Sequence, residues 1–254
     1  MPQAVLLDIS GVLHEDGVPL PGAVEAVERL QSANVALRFV TNTSRKTSAA
    51  VYAELVEMGF GVEHQQIYTA PEAVKAYLQQ HRLRPYLLIH DALVPEFEEL
   101  DLHDPNAVVL CDAGQRFDYA NLDTAFQLLV ERDAPLLAVG TNRYFRRQGR
   151  LHLDAGPFVK ALEYAADIHA VILGKPASGF FHAVLHDVGV EAADTLMMGD
   201  DVEADVVAAM EAGLQGCLVK TGKYRDGDEK RAPGARVESN LADVVEKILQ
   251  ERQG

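Results

Sequence analysis

The chain has 254 residues, 48% of them hydrophobic, which suits one large domain or two small ones with a packed core. Its formal net charge of -15 repels DNA, RNA and anionic lipid, so neither nucleic acid nor a membrane is an expected partner. An anionic substrate would have to be met by local cations or a metal.

The alternation of apolar runs and helical patterns can be followed from the start. Ala4 to Leu7 is an apolar run that ends in Asp8, then Ser10 and Gly11, as in a buried parallel strand with a carboxylate at its end. Pro19-Leu20-Pro21-Gly22 breaks the chain, and Ala23, Val27 and Leu30 mark one face of a helix. A strand over Val35 to Val40 runs into Thr41-Asn42-Thr43-Ser44. The spacing predicts a helix over Thr47 to Met58 with Gly59 as its stop, a short strand over Gln66 to Tyr68, and a helix beginning near Pro71. This β-α-β-α-β-α order implies a parallel sheet.

From His81 to Ala170 the alternation continues with a different character. Strands are expected over Tyr86 to Ile89, Ala107 to Cys111 and Leu136 to Val139, and helices over Val94 to Leu100, Leu122 to Val130 and Pro157 to Ala166. Arg146-Arg147-Gln148-Gly149-Arg150 reads as a hairpin turn. Residue patterning alone fits either a continuation of one sheet or a second α/β domain. The last third predicts strands over Val171 to Leu173, Thr195 to Met198 and Gly216 to Val219, with helices over Phe180 to Val188 and Val202 to Ala212. Lys220 to Ala235 is polar and glycine-rich, hence loop, and Asn240 caps a final helix with Leu241, Val244, Val245 and Ile248 on its apolar face. Cys111 and Cys217 lie in strand-like apolar runs and read as buried thiols. There is no leader pattern and no membrane-length apolar run, so the expected location is the cytoplasm.

Four of these strands end in the same way, in a short polar loop. They deliver Asp8, then Thr41, Asn42 and Thr43, then Gly174-Lys175-Pro176, then Gly199-Asp200-Asp201 with Asp205 one turn on. Phosphoryl transfer needs an in-line nucleophile and positive charge on the phosphoryl oxygens. A carboxylate attacks a phosphate dianion only if a cation relieves their repulsion, and Mg²⁺ prefers carboxylates and water. Asp8 and Asp200 come from separate strand ends and can meet around one ion, with the Ser10 carbonyl as a third ligand. Asp201 or Asp205 could add a further ligand, although Asp205 could instead orient Lys175. Thr41, Asn42 and Thr43, just before a helix, suit phosphate oxygens, and Lys175 adds a fixed positive charge. Taken singly, each loop has a bland reading as a turn or a cap; the order of all four is what carries weight. His182 and His186 have zinc-compatible spacing but no third ligand, and read as a solvated helix face.

The order of these motifs resembles the haloacid dehalogenase superfamily of aspartyl phosphatases, whose first motif is usually Asp-x-Asp-Gly. The resemblance implies an α/β fold: a Rossmann-like parallel-sheet core of residues 1–80 plus 171–254, and an inserted smaller α/β cap of residues 81–170. Asp-Ile-Ser-Gly-Val-Leu, the run from Arg84 to Asp91, Asp112-Ala113-Gly114 with Phe117 and Tyr119, and Leu162-Glu163-Tyr164-Ala165 are similar to the phospholysine phosphohistidine inorganic pyrophosphate phosphatase branch. That likeness implies a homodimer through the cap.

One departure has chemical consequences. The superfamily's second aspartate protonates the leaving group and then activates water, and here Ser10 occupies that position. A serine hydroxyl is a poor acid, and such assistance is typically worth ~10²–10⁴-fold. Pyrophosphate, aryl phosphates and phosphoramidates need least help. His14 and Glu15 are candidate proton sources nearby, and Arg143 and Tyr144 in the cap are candidates for reading the leaving group, with Asp112 a weaker one. The expected activity is a Mg²⁺-dependent phosphohydrolase for small phosphorylated substrates, with phosphorylated His or Lys on a protein among them. The rival expectations are a phosphatase for a sugar or nucleotide monoester, and a phosphate-binding regulatory module with negligible turnover.

Overall fold

The computed structural model describes residues 2–147 and 150–251. Strand β1 (Ala4–Asp8) is buried along its whole length, as a central parallel strand covered on both faces must be. A small hairpin of β2 (His14–Glu15) and β3 (Val18–Pro19) follows. Next come α1 (Ala23–Ser32), β4 (Ala36–Thr41), α2 (Ser48–Glu57), β5 (Ile67–Thr69) and α3 (Ala70–His81). The middle of the chain forms β6 (Pro85–Leu88), β7 (Ala107–Leu110), α4 (Tyr119–Glu131) and β8 (Leu136–Ala138). It continues with β9 (Tyr144–Arg147), β10 (Arg150–Leu153), α5 (Gly156–Ala166) and β11 (Val171–Ile172). The chain finishes with α6 (Ser178–Val188), β12 (Thr195–Gly199), α7 (Ala208–Glu211), β13 (Gln215–Val219), β14 (Arg236–Glu238) and α8 (Leu241–Gln250).

These elements form two compact units. The first holds the chain up to Thr41, Ser48–Tyr68 and everything from Lys175 onward. Its sheet has the order β14-β13-β12-β1-β4-β5. Strand β1 is parallel to both neighbours, with Leu7 opposite Met198 on one side and Asp8 opposite Val40 on the other. The chain winds outward from β1 to β4 and β5, then returns to β12 on β1's other flank. The strand order therefore reverses at β1, and open α/β sheets bind ligands at the carboxyl ends of strands beside such a reversal. The periodic faces read in α1 and α8 are buried together: Val27 and Leu30 share a cluster with Val244, Val245 and Ile248. Asn240 caps α8 as expected, its Oδ1 accepting from the Asp243 N–H at 2.9 Å.

The second unit holds Asn42–Thr47 and Thr69–Gly174. Its parallel sheet, β11-β8-β7-β6, is separate from the first. Leu88, Val108 and Leu110 pack with Ala125 and Leu129 of α4 and Val159 and Leu162 of α5. The molecule is thus α/β, a Rossmann-like parallel-sheet core with a smaller α/β domain inserted in it. The expected insert, 81–170, lies within this unit, which also takes in α3, the 42–47 segment and β11.

Three local expectations are corrected. The strand at Val171 pairs with β8 of the inserted sheet rather than with the core sheet. The helix expected over Val94 to Leu100 is instead a run of tight 3₁₀ turns over Asp91–Phe97, with Pro95 inside it; proline has no N–H to donate to a continuing α-helix. The helix expected over Val202 to Ala212 opens as wide π-type turns over Val202–Val207, and only Ala208–Glu211 is α-helical. Strands β9 and β10 pair antiparallel; the Gln148-Gly149 tip of the expected hairpin turn lies outside the described residues. Among the described residues no helix is long and apolar enough to cross a membrane.

Within the second unit, one buried ion pair fixes the 42–47 segment. Asp112, just past β7, accepts from Arg45 Nε at 2.5 Å and Nη2 at 3.0 Å, and from the Gly114 N–H at 3.0 Å. Its own N–H donates to Ser44 Oγ at 3.2 Å. Arg45 also lies 5.2 Å from the Phe145 ring centre. The Asp112 carboxylate is 7% exposed, so the pair is shielded from water on one side. Asp112→Ala should lower unfolding stability by about 2–3 kcal/mol, the worth of hydrogen bonds to a charged group. A urea titration showing less than about 0.5 kcal/mol would place the pair with ordinary surface ion pairs.

Candidate active site

The ends of β1, β4 and β12 lie side by side because the three strands are parallel and in register. They deliver Asp8, Thr41 and Asp200, all buried. Lys175 opens the segment that returns to the core, and it is 3% exposed. Its ammonium donates to Asp8 Oδ1 and, at 2.6 Å, to Asp205 Oδ1. Burial alone would drive the proton off this lysine, but the Asp205 and Asp8 carboxylates outweigh it and hold the pKa above the ordinary lysine range.

The two remaining acids are less well compensated. Asp205 accepts from Lys175 through Oδ1 and from the Asp201 N–H through Oδ2 at 3.2 Å. Burial nevertheless pushes its pKa up to about 6, with Lys175 opposing the rise. Asp200 is 2% exposed, and its Oδ2 accepts from the Lys223 N–H at 2.7 Å. Among the described residues its Oδ1 finds no hydrogen-bond partner. Burial first, then the charges of Asp8 and Asp205, push the Asp200 carboxyl up to about 8.

One oxygen from each of Asp8, Asp200 and Asp205 lies within 4.8 Å of the others. Three buried carboxylates against one shared ammonium leave a net negative hole. A buried carboxylate oxygen without a partner costs free energy unless something fills the place. The donors are hard oxygens, the set that Mg²⁺ selects over softer ligands. The residues present therefore fit a divalent cation.

Two glycines make the packing around Asp200 possible. Gly11 (φ +83°) and Gly222 (φ +59°) flank it, and a Cβ on either would overlap the Asp200 carboxylate. Positive φ and the absence of a side chain are both properties of glycine.

Of the residues singled out in the sequence, Asp8, Lys175, Asp200 and Asp205 come together. The alternative in which Asp205 orients Lys175 matches its hydrogen bond, and the same carboxylate also belongs to the acidic cluster. Asp201 turns elsewhere: its Oδ1 caps the Glu203 and Ala204 N–H groups at 3.2 and 3.1 Å, and its Oδ2 meets Lys223 Nζ at 3.2 Å. Ser10 is exposed two residues past Asp8, and its backbone bridges to His14. Glu15 accepts from the Gly222 N–H at 2.9 Å. In the second unit, Asn42 lies against Gly174, where an added Cβ would sit 2.7 Å from Asn42 Oδ1; Thr43 is the next residue on that segment. Arg143 and Tyr144 are exposed at the start of β9. His182 Nε2 lies 3.4 Å from the Ala212 carbonyl, consistent with its bland reading.

The sequence reading passed over Thr221, Gly222 and Lys223, which it placed in a plain loop. A signal was present: the β13 run ending at Val219 enters Lys220-Thr221-Gly222, an apolar strand followed by a polar residue and glycine. It lacks an acid, and so it did not stand out.

Comparison with known proteins bears on the family and the fold. A family model described as haloacid dehalogenase-like hydrolase matches residues 5–103, and a second, HAD-hydrolase-like, matches residues 172–245. The human phospholysine phosphohistidine inorganic pyrophosphate phosphatase is 42% identical over 256 residues, covering 98% of this chain and 94% of that protein. The bovine haloacid dehalogenase-like hydrolase domain-containing protein 2 is 42% identical over 251 residues, covering 98% and 96%. Among solved structures, a 4-nitrophenylphosphatase from Thermotoga maritima superposes with a TM-score of 0.88 at 26% identity, covering 96% of this chain and 97% of that one. NagD from E. coli gives a TM-score of 0.86 at 21% identity, covering 95% and 98%. By motif order, fold and full-length likeness, the chain belongs to the haloacid dehalogenase-like hydrolases.

Proposed function

We propose that this hydrolase is a Mg²⁺-dependent phosphatase that works through an aspartyl-phosphate on Asp8 and favours pyrophosphate and P–N substrates such as phospholysine, phosphohistidine and imidodiphosphate. The observation that carries the reading is the buried set of Asp8, Asp200 and Asp205 around one lysine, with Asp200 Oδ1 unpartnered among the described residues. Asp8, Asp200 and Asp205 would hold the ion, with the Ser10 carbonyl a further donor. When bound, the ion supplies charge neutralisation among the carboxylates and polarises the phosphoryl group.

The chain's own residues do the rest. Lys175 grips Asp8 through Oδ1, which fixes the carboxylate's rotation and keeps Oδ2 for attack on phosphorus. The Asp8 oxygen–phosphorus bond forms as the bond to the leaving group breaks, and the leaving group departs with the electron pair. Thr41, Asn42, Thr43 and Lys175 hold the phosphoryl oxygens. Water then attacks phosphorus, the bond to Asp8 breaks, and inorganic phosphate leaves. Ser10 contributes no strong acid to the first step, so turnover follows how well the leaving group departs unaided. The relatives named as phospholysine phosphohistidine inorganic pyrophosphate phosphatases support this substrate class. Arg143 and Tyr144 are assigned to the leaving group. We further assign a cytoplasmic location, substrates that include phosphorylated His or Lys on protein, and, by the family likeness, a homodimer through the inserted unit. Tyr119 and Tyr164 of that unit are 83% and 91% exposed.

Asp8→Asn should cut turnover of 4-nitrophenyl phosphate by about 10³-fold or more while the thermal melt stays cooperative. Activity retained in that variant removes Asp8 as nucleophile.

Mg²⁺ at about 100 times its Kd should stabilise the metal-free protein by roughly 2.7 kcal/mol, a rise of about 5–10 °C in Tm for a chain of this size. Asp200→Asn should lose most of that rise. An equal rise in both proteins would move the ion away from Asp200.

Across a substrate panel, pyrophosphate, imidodiphosphate and phospholysine should outpace sugar and nucleotide monoesters. Ser10→Asp should narrow the gap for alkyl esters, by up to ~10²-fold if general acid help is what is missing. Equal rates for alkyl monoesters and pyrophosphate in the unaltered protein would favour the monoester reading. No turnover of any of them with Mg²⁺ would leave a phosphate-binding module.

A further inference from the structure

Among the described residues, Asp200 is held by one hydrogen bond, to a loop that no acidic motif marks. Its Oδ2 accepts from the Lys223 N–H at 2.7 Å, while Oδ1 has no partner among the described residues. The nearby charges of Asp8 and Asp205 repel this carboxylate. A carboxylate held at one oxygen and repelled by two neighbours needs its one donor to be fixed.

That donor is fixed by a clasp. The Thr221 hydroxyl donates to the Gly11 carbonyl, and the Gly222 N–H donates to Glu15 Oε1 at 2.9 Å. Both partners belong to the stretch that follows β1. The two backbones meet so closely that a Cβ on Gly222 would lie 2.7 Å from Gly11 Cα. Lys223 is tied at its other end, Nζ lying 3.2 Å from Asp201 Oδ2. Thr221 and Glu15 hold the backbone of Gly11 and Gly222, which packs against the Asp200 carboxylate, and with it the position of the Lys223 N–H.

We propose that Thr221 and Glu15 are positioning residues that lock the Thr221–Lys223 strap onto the stretch after β1 and so set the Asp200 carboxylate for a divalent cation. The proposal rests on the reading of Asp8, Asp200 and Asp205 as a cation site. Glu15 acts here as a hydrogen-bond acceptor for the Gly222 N–H rather than as a charge for the ion, and rather than as the proton source the sequence allowed.

The test is calorimetric titration of MgCl₂ into the metal-free full chain without substrate, beside thermal melts of each metal-free variant. Thr221→Val and Glu15→Ala should each weaken Mg²⁺ affinity about fivefold, the size of one lost hydrogen bond. Thr221→Ser and Glu15→Gln keep the donor and the acceptor, and should stay within about twofold of the unaltered protein on the same scale. Wild-type affinity in both Thr221→Val and Glu15→Ala overturns the clasp. So does an equal loss in Glu15→Gln and Glu15→Ala, which would assign the effect to charge. If Thr221→Val does not give a cooperative melt, the Glu15 pair decides by itself. A protein that binds Mg²⁺, loses it on Asp200→Asn and ignores the clasp variants refutes this proposal alone. One that takes up no Mg²⁺ at all refutes the cation site with it.

Discussion

A buried ammonium holds the carboxyl end of the core sheet together. Lys175 bridges Asp8, from the first strand, and Asp205, from the turns after the twelfth. A lysine this deep keeps its proton because two carboxylates face it, and the lysine in turn opposes the rise that burial imposes on Asp205. Each group is thus the reason the others can be buried. The parallel register of β1 with β4 and β12 supports this arrangement, because it brings strand ends far apart in sequence to one level. The arrangement still holds more carboxylates than cations, and the Asp200 oxygen without a partner among the described residues is where the deficit shows.

Much of this could be read from the amino-acid order. Parallel strands buried along most of their length need largely apolar runs, so β1, β4, β12 and β13 stood out, and their ends had to be abrupt. The apolar faces of α1 and α8 repeat at helical spacing because they cover one face of the sheet. The separate inserted sheet was less legible. Its strands look like those of the core, and only the family resemblance, not the patterning, placed them in a second domain. Strand β11 was assigned to the wrong sheet for the same reason: two residues of Val and Ile carry no mark of which neighbour they pair with.

The features that escaped are those made by backbone rather than by side-chain type. The wide turns at Val202–Val207 have a helical apolar pattern, since Val202 and Val206 are buried much as an α-helix would bury them. Their winding is visible only in coordinates. In the same stretch Asp205 meets both Lys175 and the Asp201 N–H, and it packs where a Cβ on Gly199 would lie. Likewise the Lys223 contact to Asp200 is made by a main-chain N–H, which every residue but proline carries. A hydrogen bond of that kind leaves no compositional trace. The glycines on either side do leave one, but glycine in a polar loop is common enough to pass for an ordinary turn.

The places where the chain passes between its two compact units carry a further implication. It crosses four times, between Thr41 and Asn42, Thr47 and Ser48, Tyr68 and Thr69, and Gly174 and Lys175, and the first and last of these crossings cut through polar strand-end loops instead of through neutral linkers. Asn42 packs on Gly174 inside the inserted body, while Thr41 and Lys175 belong to the other. The insert is therefore not a cassette that could be exchanged between relatives at convenient loops. A graft spliced outside the first and last crossings would import foreign residues beside Thr41 and Lys175, and one spliced inside them would strip the insert of Asn42, Gly174 and the Arg45–Asp112 anchor. Chimeras of such enzymes have to be designed around all four crossings.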